Sequence, residues 1–133
     1  MLDFQPALAA LAISADGKTA VAGMEDGHVL VWDAEMGGMR RHFTGSGKVR
    51  DLAIFPDGSR VLVAKGLRSG GPLTHSGENG VYLYDVTTEE QPCRLAVFSH
   101  EKPISKVALT PDNRFALAVV GKGDIYRWKL EDR

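Results

Sequence analysis

The chain reads as an all-β fold in which one four-stranded antiparallel unit is used three times. Three observations carry this. The segments LAALAISADGKTAVAG (8–23), VRDLAIFPDGSRVLVA (49–64) and ISKVALTPDNRFALAV (104–119) share one internal order. Each is followed by a second recurring piece, HVLVWD (28–33), GVYLYD (80–85) or DIYRWK (124–129), that alternates toward an aromatic residue. Apolar spacing stays near two throughout, which favours strands, and 15 glycines cut the chain into short runs.

In the first unit, Leu8, Leu11 and Ile13 open a strand that ends at the turn Ala15-Asp16-Gly17. Val49, Leu52 and Ile54 lead to Pro56-Asp57-Gly58 in the second unit, and Ile104, Val107 and Leu109 lead to Pro111-Asp112-Asn113 in the third. Asp followed by Gly or Asn supplies the positive φ of a tight turn, so each segment predicts a β-hairpin. VAGME (21–25) and VVGKG (119–123) read as short turns before the aromatic strands, which carry Trp32, Tyr84 and Trp128. MRRHFT (39–44) and CRLAVF (93–98) predict a fourth strand in the first two units. The unit recurs after 41 residues from Leu8 to Val49 and after 55 from Val49 to Ile104. The extra length lies largely in 66–80, between the second and third strands of the middle unit. The expected organisation is one domain, 1–133, with units at 8–44, 49–98 and 104–129.

Bulk composition narrows the function classes. A chain of 133 residues is one domain by length. Its net charge of −1 offers no global field for nucleic acid or an anionic membrane. Cys93 is the only cysteine, so an intramolecular disulfide and a cysteine metal cluster are ruled out, and a small apolar packing role is expected. The start MLDFQPALAALAIS carries Asp3 and no basic stretch, unlike a signal peptide. No apolar run approaches the roughly 18–20 residues of a membrane span. A cytoplasmic setting is expected.

Four short strands in a unit of about 40–45 residues, closing on Trp-Asp, resemble the WD-repeat β-propeller family. The resemblance rests on ISADGKTAVAGMEDGHVLVWD, IFPDGSRVLVA…GVYLYD and LTPDNRFALAVVGKGDIYRW, and covers nearly the whole chain. It implies that each unit is a blade, with its first strand nearest a central channel and its fourth outermost. The family's bracing network of His, turn Asp and Trp falls on Phe4, Asp26 and Trp32; on Gly45, Glu78 and Tyr84; and on His100, Lys122 and Trp128. No unit keeps all three, so apolar packing is expected to carry the blades.

Closed propellers have typically about 4–8 blades, so three blades make a half propeller or a propeller fragment. Such an arc leaves two apolar end faces, and bare faces of that kind do not persist in water. The third unit is expected to lack its outer strand, while Met1-Leu2-Asp3-Phe4 (1–4) lies where a closing strand would. Two chains exchanging strands head to tail would make a six-bladed homodimer. A piece of a longer propeller, or pairing with a different propeller fragment, are the alternatives.

No catalytic, cofactor-binding or metal-ligating set is expected. GSGKV (45–49) departs from a phosphate loop: His42 stands where its first glycine belongs, and Val49 follows Lys48 in place of Ser or Thr. His28, His42, His75 and His100 show no metal-ligand spacing. Asp16, Asp57 and Asp112 are explained by their turns, and Trp32, Tyr84 and Trp128 by core packing.

The function expected is therefore a non-catalytic scaffold for protein partners. The resemblance places the 66–80 insertion and the blade-to-blade loops on one end of the channel, the usual partner face. Arg68, Leu73 and His75 in the insertion, with Lys48, Arg50, His100 and Lys102 beside it, are the candidate contacts, suited to an acidic or phosphorylated partner. A ligand-binding or catalytic propeller with a site at the channel mouth, and a purely structural segment of a ring, are the alternatives. The insertion also reads plainly as a tolerated Gly/Ser-rich excursion with no partner.

Overall fold

The computed structural model describes residues 8–43, 48–66, 80–87, 93–99 and 102–130. It contains three antiparallel sheets and, among the described residues, no helix. The first sheet holds β1 (Leu8–Ile13), β2 (Thr19–Met24), β3 (Val29–Asp33) and β4 (Met39–Phe43) in sequential order. The second holds β5 (Lys48–Ile54), β6 (Arg60–Gly66), β7 (Gly80–Asp85) and β8 (Cys93–Ser99). The third holds β9 (Ile104–Leu109), β10 (Phe115–Val120) and β11 (Asp124–Lys129). Residues 1–4, expected as a closing strand, lie outside the described residues. Two boundaries differ from expectation. Val21–Met24 and Val119–Val120 belong to strands, and the turns shrink to 25–28 and 121–123, because Gly27, Gly121 and Gly123 take the positive φ values that the reversals need.

The three hairpins repeat bond for bond. Ser14, Phe55 and Thr110 each donate their N–H to the carbonyl five residues on, at Thr19, Arg60 and Phe115. Gly17, Gly58 and Asn113 close the turns with φ of 75°, 75° and 62°. After the aromatic strand, Ala34, Val86 and Leu130 donate back to the turn carbonyls of Lys18, Ser59 and Arg114 at 2.9, 3.0 and 2.7 Å. The turn aspartates tie the loops. Asp16 accepts from Ser14 Oγ, Asp57 from Ser59 Oγ and Asp112 from Thr110 Oγ1, at 2.5, 2.7 and 2.7 Å. The Asp of the Trp-Asp pair does related work: Asp33 accepts from the N–H groups of Glu35 and Met36, and Asp85 from Thr87. Lys129 stands at that place in the third sheet.

These bonds hold the carboxyls of Asp16, Asp57 and Asp112 below their ordinary 3.8, chiefly through the neighbouring hydroxyls. A depressed folded-state value means that the stabilisation is present above the unfolded value and is lost as pH falls through the folded one. Acid unfolding followed by circular dichroism should therefore steepen below about pH 4. A variant carrying Asp16→Asn, Asp57→Asn and Asp112→Asn should flatten that limb.

Each sheet has a leading face toward the next sheet and a trailing face toward the previous one. Val21, Val29 and Val31 of the first sheet's leading face share one buried cluster with Leu52, Val61, Val63, Tyr82, Tyr84 and Val86 of the second sheet's trailing face. Phe55, Leu62, Ala64, Val81 and Leu83 of the second sheet's leading face share another with Ile104, Val107, Ala116, Ala118, Val120 and Leu130 of the third. The stabilising area thus lies between sheets, as it must for blades one sheet thick. Lys65, 2% exposed, lies in the first joint with its ammonium 4.9 Å from the Tyr82 ring centre.

Among the described residues, two faces have no sheet packed on them. On the first sheet, pairing aligns Leu11, Ala22, Leu30 and His42 in one row and Ile13, Ala20, Trp32 and Met39 in the next. Leu11 and Ile13 are 65% and 60% exposed. On the third sheet, Ala108, Leu117 and Arg127 form one row, and Lys106, Val119 and Ile125 another. The first face is apolar as the sequence leads one to expect. The second also carries Lys106, Arg127 and Lys129, which linear alternation alone does not assign to it.

Candidate protein-interaction surface

The antiparallel order brings the 25–28 turn, the start of β5, the end of β6, residues 102–103 and the 121–123 turn to one end of the three sheets. Lys48 opens β5 and reaches across the first joint, its Nζ 3.0 Å from Glu25 Oε1. Arg50 sits in the irregularity where β5 pairing shifts between Val49 and Asp51. Its Nε lies 3.4 Å from where a Cβ on Gly66 would stand, and Pro103 Cβ lies 3.2 Å from that point. The insertion leaves the sheet at Gly66 and returns at Gly80, and Gly66 is packed against Arg50 and Pro103. Lys102 follows, lining an open cleft of 590 Å³ with Pro103, Gly121, Lys122, Gly123 and Asp124.

Of the seven candidate contacts, the structure places Lys48, Arg50 and Lys102 together at this end, beside the base of the insertion. Arg68, Leu73, His75 and His100 lie outside the described residues. Sequence reasoning missed Glu25, Lys122 and Asp124 as members of the same end. A repeat alignment that asks which turns share an end of the sheets would have found them, since all three fall in or beside the turn before the aromatic strand.

The remaining polar groups lie elsewhere. His28 Nδ1 is 2.8 Å from Asp26 Oδ2, and the His28 and His42 rings meet edge to face at 4.9 Å on the open face of the first sheet. Among the described residues, no three His, Cys, Asp or Glu side chains are placed to hold a metal ion. Across the second joint, Asp51 Oδ2 accepts the backbone N–H of Val107 at 2.9 Å, a contact the sequence did not announce.

Comparison with known proteins agrees with this geometry. The family model described as "WD domain, G-beta repeat" matches residues 5–33. "Protein LST8 homolog" of Drosophila melanogaster is 30% identical over 122 residues, covering 90% of this chain and 35% of the relative. Its counterpart in Drosophila pseudoobscura pseudoobscura is 28% identical over the same shares. The chain thus spans about a third of the length of the curated relatives it matches. In fold it is similar to a chain in the crystal structure of the Mitotic Checkpoint Complex, with a TM-score of 0.75, 16% identity, and coverage of 94% of this chain and 38% of that one. Three sheets whose hairpins repeat bond for bond, the matched repeat and the shared fold agree: the chain is built as three blades of the WD-repeat β-propeller type.

Proposed function

We propose that the chain is a non-catalytic scaffold that binds protein partners at the loop end of its blades, in a cytoplasmic setting. The observation that carries this reading is the gathering of Lys48, Arg50 and Lys102 around the base of the long insertion. The insertion breaks the repeat, and such departures in repeat proteins commonly map to a binding face. Cations at a loop rim suit an acidic or phosphorylated segment. Similarity to a chain from a multi-protein complex supports the class of function, and the lone cysteine suits a reducing compartment. Arg68, Leu73, His75 and His100 belong to the same proposed surface.

The two open faces favour a second element of this reading: closure by a second copy into a six-bladed homodimer. Light scattering on a size-exclusion column tests it. A species near twice the 14.4 kDa chain mass is the expected result, and a well-folded monomer at all concentrations would remove the homodimer. The partner surface is tested separately, by affinity capture with the wild-type chain and with a Lys48→Glu/Lys102→Glu variant. Partners recovered only by the wild type support the surface. An identical set from both overturns it.

A further inference from the structure

The rows of the two open faces match each other as the buried faces do. In the first joint the leading residues Val21 and Val31 meet the trailing pair Val61 and Val63 within one cluster. In the second, the larger Leu62 and Leu83 meet the smaller Ala116 and Ala118. Strand pairing makes Leu117 and Arg127 the equivalents on the open leading face, and Ala20 and Ala22 the equivalents on the open trailing face. Docking these two faces would again set large side chains opposite two alanines, of which Ala22 is already buried in the single chain. Interiors fill to a near-constant density, so such exchanges of volume across a joint mark surfaces that fit. The cluster memberships continue the pattern. Val31 joins Tyr84 in the first, and Leu83 joins Trp128 in the second, so the next partner of Arg127 in register is Trp32. The Arg127 guanidinium already lies 4.4 Å from the Phe115 ring centre, and Trp32 is half-buried on the open face.

From this match we infer that the third blade's leading face docks onto the first blade's trailing face of a second copy, with Arg127 held between Phe115 and Trp32 of that copy. The inference rests on the ring-closing reading above and goes further by fixing the register. A planar cation between two aromatic faces satisfies the charge that an apolar joint would otherwise strand. A shallow recess of 220 Å³ bounded by Lys106, Ala108, Leu117, Val119 and Ile125 lies in the same face, and the exposed Leu11 row is the apolar surface opposite.

Register also makes a gain predictable. Asp51 accepts the Val107 N–H across the second joint. Lys106 is the equivalent of Asp51, and Leu11 the equivalent of Val107. Lys106→Asp should therefore install at the new joint the bond that already ties blades two and three.

Sedimentation equilibrium of the wild-type chain and its single variants tests this. Arg127→Glu should weaken the dimer about tenfold or more. Lys106→Asp should tighten it about tenfold, while Lys106→Ala, which removes the cation without adding an acceptor, should not. A wild-type dimer that is unmoved by Arg127→Glu, or that Lys106→Ala tightens as much as Lys106→Asp, leaves the homodimer standing and overturns this register. A wild-type chain that stays monomeric overturns both, and leaves other propeller blades as the cover for these faces.

Discussion

Gly23→Ala is expected to destabilise the chain by about 2 kcal/mol, a large effect for one methyl group in a strand. A Cβ on Gly23 would stand 2.3 Å from Val49 Cγ1 and 3.1 Å from Val49 Cβ, across the first joint. Val49 is fully buried and β-branched, so it has little rotamer freedom with which to retreat. In an open strand the same change would gain about 0.5–1 kcal/mol from reduced chain entropy, so the sign itself is diagnostic. Val49→Ala alone should also cost about 2 kcal/mol through the cavity it leaves. The two together should cost less than their sum by about 1 kcal/mol or more, because the new methyl enters the vacated space. Urea midpoints at constant m-value measure the cycle. Strict additivity would mean that the blades do not meet at Gly23.

Asp51→Ala should cost about 1.5–3 kcal/mol, the range for a hydrogen bond to a charged group whose partner is then left unsatisfied. Asp51 and Val107 are 56 residues apart in sequence, and the bond ties the second blade to the third. Asp51→Asn retains an acceptor oxygen and should recover much of the loss. Amide hydrogen exchange reads the effect locally: Val107 should lose protection about tenfold or more in Asp51→Ala, while amides of β2 and β3 change little. Uniform loss over all three sheets would show that the bond acts through global stability alone.

Much of the fold was legible because turn chemistry is local. Asp-Gly and Asp-Asn, followed at fixed distance by an aromatic strand, announce a hairpin and its register within about 20 residues. What lay hidden is what happens between sheets. Gly23 reads in sequence as a weak point of a strand, and its use as a place of close approach depends on Val49, which belongs to the next blade. Lys65 follows the apolar run VLVA and looks like a solvated strand end, yet it is buried beside Tyr82. Lys106 and Arg127 alternate with apolar neighbours in a way that suits an outward-facing row. Only strand pairing shows that their row is equivalent to buried residues of the other blades. Lys48, Arg50 and Lys102 lie at the loop end that the resemblance implies, and Glu25 and Asp124 join that end because the 25–28 and 121–123 turns open on it, which the turn sequences alone do not announce.

The burial of Lys65 gives its amine a chemical character different from that of the chain's surface lysines. An acylating reagent needs the free base and a path of approach, and in the closed joint the Tyr82 ring and the walls of the first interface withhold the path. Reaction at this nitrogen is therefore gated by separation of the first two blades. The position works as a covalent clock on that opening, recording in mass how often the arc comes apart at its first seam.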